Sequence, residues 1–319
     1  MKQRVLTGAV LIFIVTLAFL LRELNLYIFD SLLAVVIVLA SAEVSRVFLR
    51  SGRANFMEMT IVYPVLVFMF YMWGINASFV FSQFLLSQLG LLAVMFAVSF
   101  LLSYLQKEKL KKDELYKVSK KSIYEFSMEK ALRTLFVMVY PTVLLSFLYL
   151  MNHLGDLRLS SVAITAYAPL GRNFGLIILT LTILTTIMAD TFAYFVGSQV
   201  GGKKLAPFIS PKKTISGAIG GIVGSMIFAT IMFLALNSLS VINTAFFQAE
   251  IGIWHFIIYG FFASIVSQAG DLFASYIKRK ARAKDFSSIF PGHGGFMDRL
   301  DGISTNAVFT FIFVMLFFV

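Results

Sequence analysis

The chain has 319 residues, of which 59% are hydrophobic and 13% charged, and its mean hydropathy is +0.87. Soluble domains carry about 25% charged residues, so this composition excludes one and indicates an integral membrane protein. The net charge is +11, and the lack of cysteine excludes disulfide frameworks, thiolate metal sites and cysteine nucleophiles.

Apolar runs able to cross roughly 30 Å of hydrocarbon predict an all-α, polytopic membrane protein with about nine transmembrane helices. They lie near residues 5–21, 27–45, 60–75, 79–105, 134–152, 173–197, 217–239, 253–275 and 302–319. The first run follows Lys2 and Arg4 and leads into Arg22 and Glu23 without a small-residue cleavage site, so it reads as a helix rather than a signal peptide. Asp30 and Glu43 stand near the ends of the second run, where either headgroup-level solvation or a functional site accounts for an acid. Residues 106–133, QKEKLKKDELYKVSKKSIYEFSMEKALR, form the long polar block. They predict a cytosolic helix or helices, read first as a solvated linker held to anionic headgroups. The expected division is an N-terminal set of helices with this block, 1–133, and a C-terminal catalytic region, 134–319.

Lysine and arginine sort the loops: 24 fall on the side of the N-terminus and 3 on the other, accounting for all 27. Because cytoplasmic loops collect these residues, the N-terminus is expected in the cytoplasm and the C-terminus outside. Segments 198–216 and 276–301 then face the cytosol.

The sixth run ends in DTFAYFVGSQVGGKKLAPFISPKKTISGAIGG, residues 190–221. Asp190 and Tyr194 share a helical face one turn apart. Lys203, Lys204, Lys212 and Lys213, with Ser210 and Thr214, then precede Gly217, Gly220, Gly221 and Gly224. Cations and hydroxyls beside a helix N-terminus suit a phosphate. A positive loop entering a helix with a small-residue packing face suits the pattern equally.

The eighth run closes on Asp271, which helical spacing aligns with Ser275 and Lys278, next to Arg279. Lys284, Asp285 and Pro291-Gly292-His293-Gly294-Gly295 follow, then Asp298, Arg299 and Asp301. Glycines let backbone amides approach an anion closely. Asp298 and Asp301 project to one side if the last helix begins there, offering the hard oxygens that Mg²⁺ takes at a phosphate site. His293 is the one histidine of three on the cytosolic side, which excludes a multi-histidine metal centre. It is read as a hydrogen-bond donor, a proton carrier or a structural residue. Together these groups suggest phosphate chemistry on a membrane substrate.

Residues 275–301, with SYIKR, KD, PGHGG and DRLD in order, closely resemble the signature of the phosphatidate cytidylyltransferases, or CDP-diacylglycerol synthases. Gly270-Asp271-Leu272, Asp190-Thr191, Ala193-Tyr194 and Ser210-Pro211-Lys212-Lys213-Thr214 extend the likeness over about residues 180–302. The resemblance implies transfer of CMP from CTP to phosphatidate in a bacterial cytoplasmic membrane, with release of pyrophosphate and no nucleic-acid partner. It implies Mg²⁺ held by Asp271, Asp298 and Asp301, and is compatible with an assisting monovalent cation such as K⁺ and with a homodimer. Lys212, Lys213, Lys278 and Arg299 would hold phosphates, with Ser210, Thr214, Arg279, Lys284 and Asp285 among the substrate contacts. His293, Gly292, Gly294 and Gly295 would shape the CTP site, and Asp190, Tyr194 and Glu43 are further candidates. The chain departs from the family pattern at Ser216, where many members carry glutamate. A CTP-dependent lipid kinase and an ion-coupled transporter are the competing readings; the unbroken GHGG and DRLD and the lack of an inverted repeat weigh against them.

Overall fold

The computed structural model describes residues 2–76, 81–106, 116–117, 121–154, 171–239 and 251–318. Its helices are α1 (Lys2–Leu24), α2 (Leu26–Arg50), α3 (Met57–Asn76), α4 (Phe81–Leu105), α5 (Ile123–Val137), α6 (Leu144–Asn152), α7 (Gly171–Val200), α8 (Ile215–Ser238), α9 (Ile253–Lys280) and α10 (Phe296–Phe317). A π-helical stretch, Met138–Val143, joins α5 to α6 and accommodates Pro141, which lacks the N–H an α-helix interior uses. Among the described residues the one sheet is an antiparallel hairpin of β1 (Lys204–Ala206) and β2 (Ser210–Thr214).

With α5 and α6 counted together, nine helices among the described residues are long and apolar enough to cross a membrane. The all-α membrane architecture read from composition therefore stands, but two helices start well before the expected residue. The fifth span begins at Ile123, not 134, because Ser122 and Glu125 form a capping box that starts the helix inside the polar block. Residues 107–115 and 118–120 of that block lie outside the described residues. The last helix begins at Phe296, not 302, so Asp298 and Asp301 occupy its first turns.

Two compact units share the chain: Met1–Val143 with Lys280–Arg299, and Leu144–Arg279 with Leu300–Val319. In the first, α2 buries Ala40, Ser41, Ala42, Val44 and Ser45, small side chains that permit close helix approach. Ser41 Oγ lies 3.0 Å from Thr142 Oγ1, and Ser45 Oγ donates to Asn55 Oδ1 at 2.9 Å. In the second, polar side chains tie α7, α9 and α10 where lipid offers no alternative partner. Asn306 Nδ2 donates to Thr186 Oγ1 at 2.8 Å and to the Thr182 carbonyl at 3.1 Å, and the Tyr259 and Thr310 hydroxyls are 2.8 Å apart.

The glycines of α8 have a packing role in this unit. A Cβ at Gly217 would come within 2.6 Å of the Ala193 carbonyl oxygen and one at Gly221 within 2.7 Å of the Ala189 carbonyl oxygen. At Gly220 it would enter the Val196 side chain, and at Gly224 that of Phe192. Of the two readings left open by the sequence, the small-residue face is the one these four glycines serve.

Candidate active site

In the second unit a cavity of about 300 Å³ is lined by Asp190, Tyr194, Lys212, Lys213, Thr214 and Asp271, all singled out from the sequence. Three elements supply them. Asp190 and Tyr194 lie on α7, the lysines on β2, and Asp271 on α9. The hairpin is fixed at its base by Thr214, the N-cap of α8, whose hydroxyl accepts the Gly217 N–H at 3.1 Å. Ser216, where an acid is usual in the family pattern, donates its hydroxyl to the Gly201 carbonyl and so closes the same base. At the hairpin turn Arg279 Nε donates to the Ile209 carbonyl at 3.2 Å. Ser210 pairs with Ala206 as β2 opens.

Across the cavity Lys213 Nζ forms an ion pair with Asp271 Oδ2, both side chains about a quarter exposed. Asp301 is buried, and its Oδ1 accepts the Gly302 N–H at 2.8 Å. It stands in the field of Asp271 and Asp190, with Lys278, also buried, as the opposing charge. Three acids close enough to feel one another are costly unless cations stand among them. Lys213 and Lys278 do so here.

The remaining signature residues lie in the first unit. Phe290 and His293 close a turn in which the His293 N–H donates to the Phe290 carbonyl at 2.9 Å. Pro291 and Gly292 occupy its centre, and the φ of +77° at Gly292 is what a type II turn requires at that position. Asp298 is buried; its Oδ2 accepts the Phe286 N–H at 2.8 Å and the Gly295 N–H at 2.9 Å. Glu43, also buried, accepts the Ser287 hydroxyl at 2.6 Å, the Phe296 N–H at 3.0 Å and the Met297 N–H at 2.9 Å. Headgroup solvation is therefore not what accommodates this acid. His293 Nδ1 is buried without a hydrogen-bond partner among the described residues. Lys284, Asp285 and Arg299 are exposed, and Asp285 lines a separate cleft with Arg50 and Arg282.

Sequence reasoning passed over Gln268 and Ser287. Gln268 lines the cavity and donates to the Ala218 carbonyl at 3.2 Å and to Ser264 Oγ at 2.9 Å. The signal was a neutral amide in an apolar run one turn before Asp271, which a search confined to acids skips. No local signal marks Ser287, whose partner lies in α2.

Among the described residues no three histidine, aspartate or glutamate side chains converge closely enough to hold a metal ion. Asp301, in the electrostatic field of Asp271 and Asp190, offers hard carboxylate oxygens of the kind a divalent cation takes.

A sequence profile of the Cytidylyltransferase family matches residues 2–317. A phosphatidate cytidylyltransferase of Thermotoga maritima is 34% identical over 146 residues, covering 46% of this chain and 52% of the relative. One of Bacillus subtilis is 34% identical over 196 residues, or 60% of this chain and 66% of the relative. One of Brucella abortus is 39% identical over 132 residues, or 40% and 43%. The aligned chain thus spans about half the length of the Thermotoga and Brucella proteins.

Proposed function

The chain belongs to the Cytidylyltransferase family, and from that premise we propose that it transfers CMP from CTP to phosphatidate, yielding CDP-diacylglycerol and pyrophosphate for phospholipid synthesis. The observation that carries this reading is the cavity in which Lys212 and Lys213 face Asp190 and Asp271. Paired cations there suit polyphosphate, and the carboxylates suit the cation that accompanies it.

In the proposed reaction a phosphatidate oxygen forms a bond to the α-phosphorus of CTP while the bond from that phosphorus to the bridging oxygen breaks. The electron pair leaves with pyrophosphate. A phosphate monoester dianion is already a nucleophile, so no covalent enzyme intermediate is needed, and the protein's work is positioning and charge neutralisation. Lys213 exchanges Asp271 for a phosphate oxygen, and Lys212 holds a second. Asp271 and Asp301 are the residues proposed to hold Mg²⁺, which when bound supplies further neutralisation of the phosphates. The family signature also marks Asp298, His293, Lys284 and Arg299, and their parts in holding metal, phosphate and CTP rest on that resemblance. The excess of lysine and arginine in the loops on the N-terminal side supports a cytoplasmic N-terminus, with the signature segments at the face where CTP is available.

The deciding measurement is pyrophosphate release by purified protein in mixed micelles, with CTP, phosphatidate and Mg²⁺ omitted singly. Release that needs all three, with CDP-diacylglycerol formed in equal amount, supports the proposal. Phosphorylation of a lipid alcohol from CTP without pyrophosphate would replace it with a lipid kinase.

A further inference from the structure

α10 begins at Phe296, which makes Gly295 its N-cap residue, and glycine has no side chain to accept the first amides of the helix. Half of a capping box is present: Asp298, three positions on, takes the Gly295 N–H at 2.9 Å. The side-chain acceptor that glycine lacks comes from α2. Glu43 supplies one oxygen to the Phe296 N–H at 3.0 Å and the other to the Met297 N–H at 2.9 Å. The first oxygen also takes the Ser287 hydroxyl at 2.6 Å, so a single carboxylate holds both ends of the loop between Ser287 and Phe296. The space is filled, because a Cβ at Gly295 would collide with both Glu43 oxygens and with Ser287 Oγ.

We infer that Glu43 is the positioning residue of this loop: a remote N-cap that holds the Pro291–Gly295 turn and the first turn of α10 in the geometry nucleotide binding needs. The inference rests on the proposed reaction for its kinetic consequence and on the geometry alone for its structural one. Three acceptor contacts from one buried anion, two of them to orphan amides that the helix dipole makes electropositive, order a segment whose own glycines would leave it many conformations. The residue touches backbone and a serine among the described partners, so its effect passes through the loop.

The chain has no cysteine, so a nitroxide on Ile289→Cys, at a side chain 49% exposed within the loop, reports this segment alone. The full chain in nanodiscs is compared with Glu43→Gln and Glu43→Ala in that background. Glutamine is isosteric and retains one oxygen acceptor; alanine retains none. The expected mobile fraction of the spectrum rises in the order Glu, Gln, Ala. If only the ordered fraction of molecules binds nucleotide, KM for CTP rises with the loss of that fraction, about tenfold in Glu43→Ala and less in Glu43→Gln, with kcat changed about twofold or less. Unchanged line shapes in Glu43→Gln and Glu43→Ala would overturn the inference. So would a mobile loop with an unchanged KM, or a kcat loss at constant KM, which would place Glu43 in the chemical step. Should the parent protein release no pyrophosphate, the proposed reaction fails, and the line shapes still decide whether Glu43 holds the loop.

Discussion

Lys213 reaches from the β-hairpin to pair with Asp271 on α9, so that a cation and an acid lining the cavity neutralise each other. Both side chains are partly solvated, and such a pair contributes at most about 1 kcal/mol to stability. Asp271→Asn is expected to leave thermal unfolding in detergent within that margin while pyrophosphate release falls by about three orders of magnitude, the scale on which charge-stabilising groups at phosphoryl centres act. Near-normal turnover in Asp271→Asn would remove this residue from the reaction.

Asp298 separates two roles by two substitutions. Asparagine keeps an oxygen for the Phe286 and Gly295 amides, whereas alanine leaves both without their acceptor. Asp298→Ala should therefore unfold more readily by about 3 kcal/mol, read by denaturant titration, and Asp298→Asn by much less. Turnover should be lost in both. An Asp298→Asn protein with normal turnover would leave this carboxylate with loop closure as its only task.

The α7–α8 contact makes an opposite pair of predictions for glycine. Gly221→Ala sets a methyl group against the Ala189 carbonyl and the Gln268 amide, and is expected to cost about 1–3 kcal/mol. At Gly90, inside α4, an added methyl group would meet nothing within 4 Å, so Gly90→Ala should be neutral or stabilising by up to about 1 kcal/mol. Unfolding midpoints of the two variants, measured side by side, check the difference in sign.

Chelation tests the proposed ion. EDTA is expected to abolish pyrophosphate release and excess Mg²⁺ to restore it. Mn²⁺ binding followed by its electron paramagnetic resonance signal should weaken at least tenfold in Asp301→Asn, since removing a ligand from a hard-oxygen site forfeits about 1.4 kcal/mol or more. Undiminished Mn²⁺ binding in Asp301→Asn would exclude it as a ligand.

The membrane helices were legible because apolar length is a local property, and the cavity residues because acids, lysines and glycines are rare in such runs. What was hidden is what depends on distant partners. The start of α10 at Phe296 was legible only as a condition on Asp298 and Asp301, because Gly295 has no side chain to mark an N-cap and the carboxylate that takes its place sits in α2. Glu43 itself looked like an acid at a helix end, since nothing in its neighbours shows that it is buried. The glycines of α8 illustrate the converse: their spacing suited both a phosphate cradle and a helix seam, and only the proximity of Ala189, Phe192 and Ala193 distinguishes them.

The collision that a side chain at Gly295 would suffer with Glu43 binds two distant positions into one heritable constraint. A side chain at 295 displaces the Glu43 carboxylate from where it caps α10 unless residue 43 is shorter, and a shorter residue at 43 leaves the Phe296 and Met297 amides without this acceptor unless 295 has gained a serine, threonine or aspartate of its own. Relatives that carry a capping side chain at the position of Gly295 are therefore expected to carry a small residue at the position of Glu43, the two exchanging as a pair.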